Sequence, residues 1–420
     1  MSKSFRQLFD LPAFPIYISG ASRSPMPRKV LHTGIRALRR KTETPWSIAS
    51  DKYSHVDENC RKAWAKLLNA TPSNFSFAPS CSYAISVVAN ILVRSQTIRS
   101  GDSILILNDQ MSSSVYPWQQ VVQDVGAQLK VVRLTDGGEN NDDWTQAVLH
   151  STWWNDTSTS VKVVCVPNVH WCDGSLLNLK EIGIKCRKHG AILVVDATQS
   201  LGALPLDVAS IGPDFVAASS HKWLMGPYGV CLLYSDARWH GIQSKAGAGV
   251  SKLWPLEHHE HNRYNPNDID CLPLIVETEL VGYEPRFKQG ARAYDSGGRP
   301  NPVLMPMVCE AVNMVLDWKP SNVRDMLQRQ TDKVAKTARQ LHLRVPSQRA
   351  GHICGVDKIG DLEWSDRCSS FLKRNGMIVA SRFGKLRVAP HVYNTDAEIE
   401  QLCTLLVAFE ALESASSSKL

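Results

Sequence analysis

Short apolar runs alternate with amphipathic stretches through the first two-thirds of the chain. Residues 104–107, 129–134, 161–166, 191–195, 215–218 and 230–234 are rich in Val, Ile and Leu and are bounded by turn residues. That pattern predicts strands buried on both faces, as in a mostly parallel sheet. Between them, residues 116–125, 144–149 and 179–189 repeat their apolar positions with helical period, and each can form a right-handed crossover. The expected architecture is therefore an α/β domain of three layers with a mostly parallel central sheet. From 252 to 267 the pattern dissolves into Pro, His, Glu and Asn, and loops are expected until Pro302. Residues 302–318 and 323–341 then read as helices, 365–374 as another, and 377–380 and 386–389 as strands. Thr395, Asp396, Ala397 and Glu398 form a capping box that opens a last helix reaching about residue 412. The chain divides on this reading into a large α/β domain, 20–300, and a smaller α+β domain made of 1–19 and 301–420.

Composition narrows the class. A chain of 420 residues, 43% of them AVILMFWYC, can bury a large core. Its net charge of +7 is spread along the sequence, and the one basic run, 36–41, reads as a solvated helix face. No nucleic-acid partner is expected from that distribution. Eleven cysteines without a CxxC pair argue against a zinc module and, being odd in number, against a closed disulfide framework. They fit a reducing compartment. No signal-peptide core or membrane-length apolar stretch occurs, so a soluble intracellular protein is expected, with no membrane partner. Ser418, Lys419 and Leu420 spell a peroxisomal import tripeptide; without its use, the cytoplasm is the expected compartment.

The chemistry concentrates between 191 and 234. One strand ends in Asp196, with Gln199 three residues on, and the next ends in Ser219, Ser220, His221 and Lys222. Ligands collect at the C-terminal ends of strands in open α/β sheets, so Asp196 and Lys222 should face one crevice. Pyridoxal phosphate needs such a pair: an amine for a Schiff base and an anion that keeps the pyridine nitrogen protonated. A buried ion pair is the plain alternative for these two residues alone. Ser80, Cys81 and Ser82 precede an apolar-periodic helix over 83–93, and such a helix start can bind phosphate.

With those residues in view, the chain resembles the class V aminotransferase family of fold type I pyridoxal phosphate enzymes, which includes cysteine desulfurases, kynureninase-like lyases and isopenicillin N epimerase-like proteins. The resemblance runs from 17–22 to 386–395, and its most specific part is Asp196-x-x-Gln199 with Ser219-x-His221-Lys222 and the following Gly-Pro-x-Gly. It implies that Lys222 carries the cofactor and acts as the catalytic residue, that Asp196 pairs with the pyridine nitrogen, and that Gln199 contacts the ring hydroxyl. Ser219 and His221 hold the phosphate with Ser80, Cys81 and Ser82. Arg387 clamps the substrate α-carboxylate, as suits a planar bidentate donor, with Ala21 and Ser22 beside the substrate. Met111 stands where the family packs an aromatic or histidine on the cofactor ring, and a thioether cannot relay protons. Either His170 or Trp171 lines the pocket, Trp171 near the family asparagine that touches the cofactor. Gly298, within 296–302, falls in a segment that crosses to the neighbour's phosphate, where it offers only its backbone; a homodimer with shared sites is implied.

Two departures limit the reaction. Cysteine desulfurases carry a reactive cysteine shortly before the arginine, and none lies between Met377 and Arg387. Cys354 and Cys368 read as packed thiols, so transfer of sulfur to a protein persulfide is disfavoured. His258, His259, Glu260 and His261 lack a metal-binding framework, so no metal is expected; they read as a loop at the pocket mouth. The expected activity is a pyridoxal phosphate-dependent reaction of a small α-amino acid through an external aldimine and a Cα carbanion, of aminotransferase or side-chain lyase type. Epimerisation or carbon–carbon bond formation in specialised metabolism stays open. A catalytically silent scaffold is the alternative of another class, and retention of Lys222, Asp196 and Arg387 together speaks against it.

Overall fold

The apolar runs pair side by side. The computed structural model describes residues 5–48, 50–134, 142–156, 158–241, 253–263, 286–298 and 301–417. Ser418, Lys419 and Leu420 of the import tripeptide, and Arg299 and Pro300 of the expected subunit-crossing segment, lie outside the described residues.

A short strand β1 (Ile16–Tyr17) and two helices, α1 (Arg28–Glu43) and α2 (Ser50–Leu68), precede the main sheet. That sheet contains β2 (Phe75–Ala78), β3 (Ser103–Leu107), β4 (Gln128–Val132), β5 (Val161–Pro167), β6 (Ile192–Asp196), β7 (Phe215–Ser219) and β8 (Cys231–Ser235), in the order β2-β8-β7-β6-β5-β3-β4. Neighbours from β4 to β7 are parallel, and β8 runs antiparallel to both β7 and β2. Every residue of β3, β6 and β7 is buried, because alternate side chains feed separate cores on the two faces. Leu105, Leu107 and Leu193 join Trp64 and Phe75 on one side. Ile104, Ile106 and Val194 join Ile85, Val88 and Trp118 on the other. Helices α3 (Cys81–Arg94), α4 (Tyr116–Val125), α5 (Trp144–Leu149), α6 (Leu179–His189) and α7 (Val208–Ile211) lie between these strands in sequence.

Three elements were not expected from the sequence. β2 is four residues long and includes a buried serine, whose Oγ donates to the Leu233 carbonyl at 3.3 Å. α1 buries only Val30 and Gly34, and its apolar positions Leu31, Ile35 and Leu38, though helically spaced, are exposed. The basic run 36–41 is part of it and faces solvent, as expected. α2 has no strong apolar stripe in sequence.

The C-terminal elements are α8 (Leu304–Trp318), α9 (Pro320–Gln340), β9 (Cys354–Val356), α10 (Trp364–Arg374), β10 (Met377–Ile378), β11 (Ala380–Arg382), β12 (Lys385–Val388) and α11 (Asp396–Ser417). The expected single strand over 377–380 is corrected here: the chain changes partner at Val379, so that β10 pairs with β1 while β11 joins β12 and β9. Phe383 and Gly384, with φ of +47° and +74°, make the two-residue turn between β11 and β12, a conformation that matches strand twist in hairpins. Ile18, Trp364, Leu386, Val388 and Leu402 form the core of this part. Cys354 and Cys368 are buried in it, and burial pushes both thiols up, Cys354 to about 11. Among the described residues no helix is long and apolar enough to cross a membrane.

Gly202 marks where backbones approach beneath the future site. Its φ is +104°, and a Cβ there would stand 2.6 Å from the carbonyl oxygen of Trp223. Gly202→Ala should therefore cost about 2–4 kcal/mol, from backbone strain and forced displacement of the 223 peptide. Chemical denaturation would measure it; an unchanged midpoint would refute the tight approach.

Candidate active site

Three strand ends and one helix start converge on a cavity of about 640 Å³. β6 delivers Asp196, whose Oδ2 accepts from Ser114 Oγ at 2.8 Å and Oδ1 from the Thr198 N–H at 2.9 Å. Thr198 Oγ1 in turn accepts from the N–H of Ser219, the last residue of β7, at 3.2 Å. These bonds fix the carboxylate relative to the loop that carries the lysine. That loop is closed on itself: Met225 N–H donates to the Lys222 carbonyl at 3.0 Å, Gly226 N–H to the Ser220 carbonyl at 2.8 Å, and Ser220 Oγ to the Pro227 carbonyl at 2.7 Å. Met225 takes a positive φ of 56° to complete the turn.

The amine of Lys222 is held below its ordinary range. Burial is the largest cause, Arg387 and Arg382 add to it, and Asp196 with Cys81 opposes it. His221 is pushed down to about 4 by burial and by Lys222, so it is neutral near pH 7 and can donate one N–H; its ring stacks on Tyr228 with centroids 4.1 Å apart. At the start of α3, Ser80 Oγ accepts from the Tyr83 N–H at 3.1 Å and lies 3.0 Å from Ser82 Oγ. The Cys81 thiol, in contact with Cys231 and buried, is pushed well above its usual range.

Arg387 enters from β12 and is 1% exposed. Its Nη1 donates to the Trp171 carbonyl at 2.7 Å and its Nη2 to Ser22 Oγ at 2.5 Å, while Nε has no partner. No carboxylate among the described residues lies within ion-pair distance of it. Burial, then Arg382, pushes it down to about 10. Such a cation is costly until an anion joins it.

Of the residues expected here, Ala21, Ser22, Ser80, Cys81, Ser82, Met111, Trp171, Asp196, Gln199, Ser219, His221, Lys222 and Arg387 line this one cavity. His170 does not, and its expected place beside the substrate is corrected. It is 2% exposed, stacks on Trp144 with centroids 5.1 Å apart, and places Nδ1 3.5 Å from Asp173 Oδ1; Trp171 takes the pocket side. Gln199 lines the cavity, yet its Oε1 accepts from Trp223 Nε1 at 3.0 Å and its Nε2 donates to the Ala21 carbonyl at 3.1 Å, leaving its second amide hydrogen as the donor it can offer. Gly298 is exposed, with φ +70° and open space around it, and lies outside the cavity of its own chain. The imidazoles of the 258–261 loop serve separate partners: His259 Nε2 meets the Asp295 carbonyl at 2.9 Å, His258 Nδ1 accepts from Arg263 at 3.1 Å, and His261 pairs with Glu260 at 3.3 Å.

Sequence reasoning missed Ser114, Thr198, Tyr228 and Arg382. Ser114 is one hydroxyl in a run of three, so nothing in the sequence distinguishes it. Thr198, a polar residue just past a buried strand end, was open to inference.

The residues present fit pyridoxal phosphate: a fixed carboxylate, an amine with a lowered affinity for its proton, and a helix start with hydroxyls and a neutral histidine for the phosphate. The aminotransferase class-V family model matches residues 16–249. The chain is 25% identical over 408 residues to an uncharacterized aminotransferase of Bacillus subtilis (strain 168), covering 95% of each chain. It is 30% identical over 215 residues to a probable cysteine desulfurase of Pyrococcus abyssi (strain GE5 / Orsay), covering 51% of this chain and 48% of that protein. Its fold is similar to that of an apo cysteine desulfurase from Thermococcus onnurineus NA1, with a TM-score of 0.73 and 19% identity over 95% of each chain. A complex of a cystine C-S lyase with cysteine persulfide gives a TM-score of 0.74 at 18% identity, covering 94% of this chain and 97% of that one. The protein has the fold of the type I pyridoxal phosphate enzymes. It belongs to the class-V aminotransferase family and is a pyridoxal phosphate-dependent enzyme.

Replacing Arg387 by Met keeps most of the side-chain volume and removes a buried charge that has no ion-pair partner among the described residues. Arg387→Met should gain about 1 kcal/mol or more of stability in the substrate-free protein and lose most amino acid turnover. Thermal melts paired with initial rates would test this; a destabilised variant would mean that the guanidinium is already neutralised.

Proposed function

We propose that the enzyme acts on a small α-amino acid, with Arg387 holding the α-carboxylate and Lys222 removing and returning the proton at Cα. The observation that carries this reading is the buried guanidinium without a counter-ion, opening into the same cavity as the lysine amine. When bound, pyridoxal phosphate supplies the electron sink that makes bonds at Cα labile. Asp196, fixed by Ser114 and Thr198, holds the proton on the pyridine nitrogen. The α3 start, Ser219 and neutral His221 bind the phosphate. Ser22, itself bound to Arg387, orients the guanidinium toward the carboxylate, and Met111 and Trp171 exclude water from the ring face.

Transamination and side-chain elimination are the reactions that this constellation supports best. No cysteine lies on the β11–β12 hairpin, so a protein-bound persulfide just before Arg387 is not part of the reading. The divisions 20–300 and 1–19 with 301–420 serve as cofactor and substrate domains. The enzyme works as a homodimer, in which the exposed apolar positions Leu31, Ile35 and Leu38 of α1, spaced on one helical face, become covered and Gly298 approaches the neighbour's site.

A screen of amino acids against the purified enzyme, with analysis for keto acid, ammonia, sulfide and inverted stereochemistry, identifies the reaction. Lys222→Ala should abolish turnover and the borohydride-reducible absorbance while leaving the fold intact, since one side chain serves both tasks. Full activity in that variant, or equal turnover of amines lacking a carboxylate by the unmodified enzyme, would overturn the reading. Light scattering should give twice the chain mass of 46.6 kDa; a fully active monomer would remove the shared-site argument.

A further inference from the structure

The β11–β12 hairpin carries more positive charge into the cavity than an α-carboxylate can use. Its register pairs Ala380 with Arg387 and Arg382 with Lys385. Opposed residues of an antiparallel pair share a face, as do residues two apart on one strand. Arg382, Lys385 and Arg387 therefore stand on one face, and like charges set directly opposite destabilise a hairpin. Lys385 is offset by Asp173, 3.3 Å from its Nζ. Arg387 is the buried α-carboxylate site. Arg382 is half-buried and lines the cavity, and among the described residues its guanidinium donates to the carbonyl of the preceding Ser381, at 2.6 Å. No carboxylate among the described residues lies within ion-pair distance of it.

The other groups around the cavity do not supply the missing anion. Its acid among the described residues is Asp196, and both oxygens of that carboxylate are already bonded. Arg23 adds a further cation at the rim. The groups that would hold a cofactor phosphate, Ser80, Ser82, Ser219 and His221, line the same cavity and would take up that anion themselves. Arg382 stands near enough to both Lys222 and Arg387 for its charge to act on each, and all three line the one cavity. Diagonal neighbours such as Arg382 and Arg387 stand roughly 7–8 Å apart across a hairpin, and side chains converging from that spacing can grip two carboxylates joined by a short carbon chain.

We propose that Arg382 is a specificity residue that binds a second carboxylate, on the side chain of the amino acid whose α-carboxylate Arg387 holds. The substrate class is then the acidic amino acids with one or two methylenes between Cα and the distal carboxylate. This rests on the reading of Arg387 given above. The planar fork of arginine suits the task, because it fixes the distal carboxylate in direction as well as in charge.

The test uses dicarboxylates without an amine, whose binding requires no reaction. Succinate and glutarate, with butyrate as the monocarboxylate control, are titrated calorimetrically into the cofactor-loaded wild type and into Arg382→Gln. Succinate or glutarate should bind the wild type at least about tenfold more tightly than butyrate, the worth of one charge-assisted contact, and Arg382→Gln should remove that advantage. In turnover, the same variant should lower kcat/KM for aspartate and glutamate relative to alanine by a similar factor, mainly through KM. Equal binding of mono- and dicarboxylates by the wild type, or an advantage retained in Arg382→Gln, would overturn the proposal. The borohydride-reducible absorbance reads the broader assignment separately: its presence together with equal binding defeats this inference alone.

Discussion

A guanidinium held out of water, with no counter-ion among the described residues, is the constraint around which this site is arranged. Arg387 satisfies two of its donors on Ser22 and on the Trp171 carbonyl, which is enough to fix its plane but not to neutralise it. The chain accepts that cost because the same bonds tie β12 to the segment after β1 and to the loop after β5. On the proposed reading, a substrate carboxylate that completed the set would gain a partner whose orientation is already fixed, leaving little ordering to oppose binding.

The neighbouring cations tune the lysine through the same field. Burial is the main reason that Lys222 gives up its proton more easily, and Arg387 and Arg382 reinforce it. Asp196 works against them, favouring the charged amine, and Ser114 and Thr198 hold its oxygens in place.

Much of this was legible in the sequence, for reasons that differ by residue. Strands buried on both faces leave continuous apolar runs, so β3, β5, β6, β7 and β8 could be read directly, and the polar residues that end β6 and β7 marked Asp196 and Lys222. The spacing Asp196-x-x-Gln199 with Ser219-x-His221-Lys222 carried the rest of the cofactor side. β2 was invisible, since a four-residue strand with a buried serine leaves little periodicity; α1 was passed over although Val30, Leu31, Gly34, Ile35 and Leu38 recur with helical spacing, because Arg and Lys dominate its composition. His170 and Trp171 could not be separated, because adjacent residues past a strand end diverge according to which finds a packing partner, and Trp144 decides it. Arg382 was hidden by the break at Val379: while 377–380 read as one strand, nothing placed residue 382 across a two-residue turn from 385.

Behind the lysine, a stack of rings joins the cofactor loop to the C-terminal elements. Trp223, next to Lys222, lies edge-on to His352 at 4.4 Å and flat against His391 at 5.0 Å, and His391 stacks in turn on Tyr393 at 5.7 Å. Burial pushes His352 down to about 4 and His391 to about 3, so both stay neutral and pack as apolar surfaces with one polar edge. His352 Nε2 spends that edge on the Gln199 carbonyl at 2.5 Å. The loop after β6, the loop after β7 and the C-terminal elements therefore share one packed seam. Because close-packed rings resist small continuous shifts, the spacing of Lys222 from Arg387 is set by this seam as much as by the hydrogen bonds in the cavity.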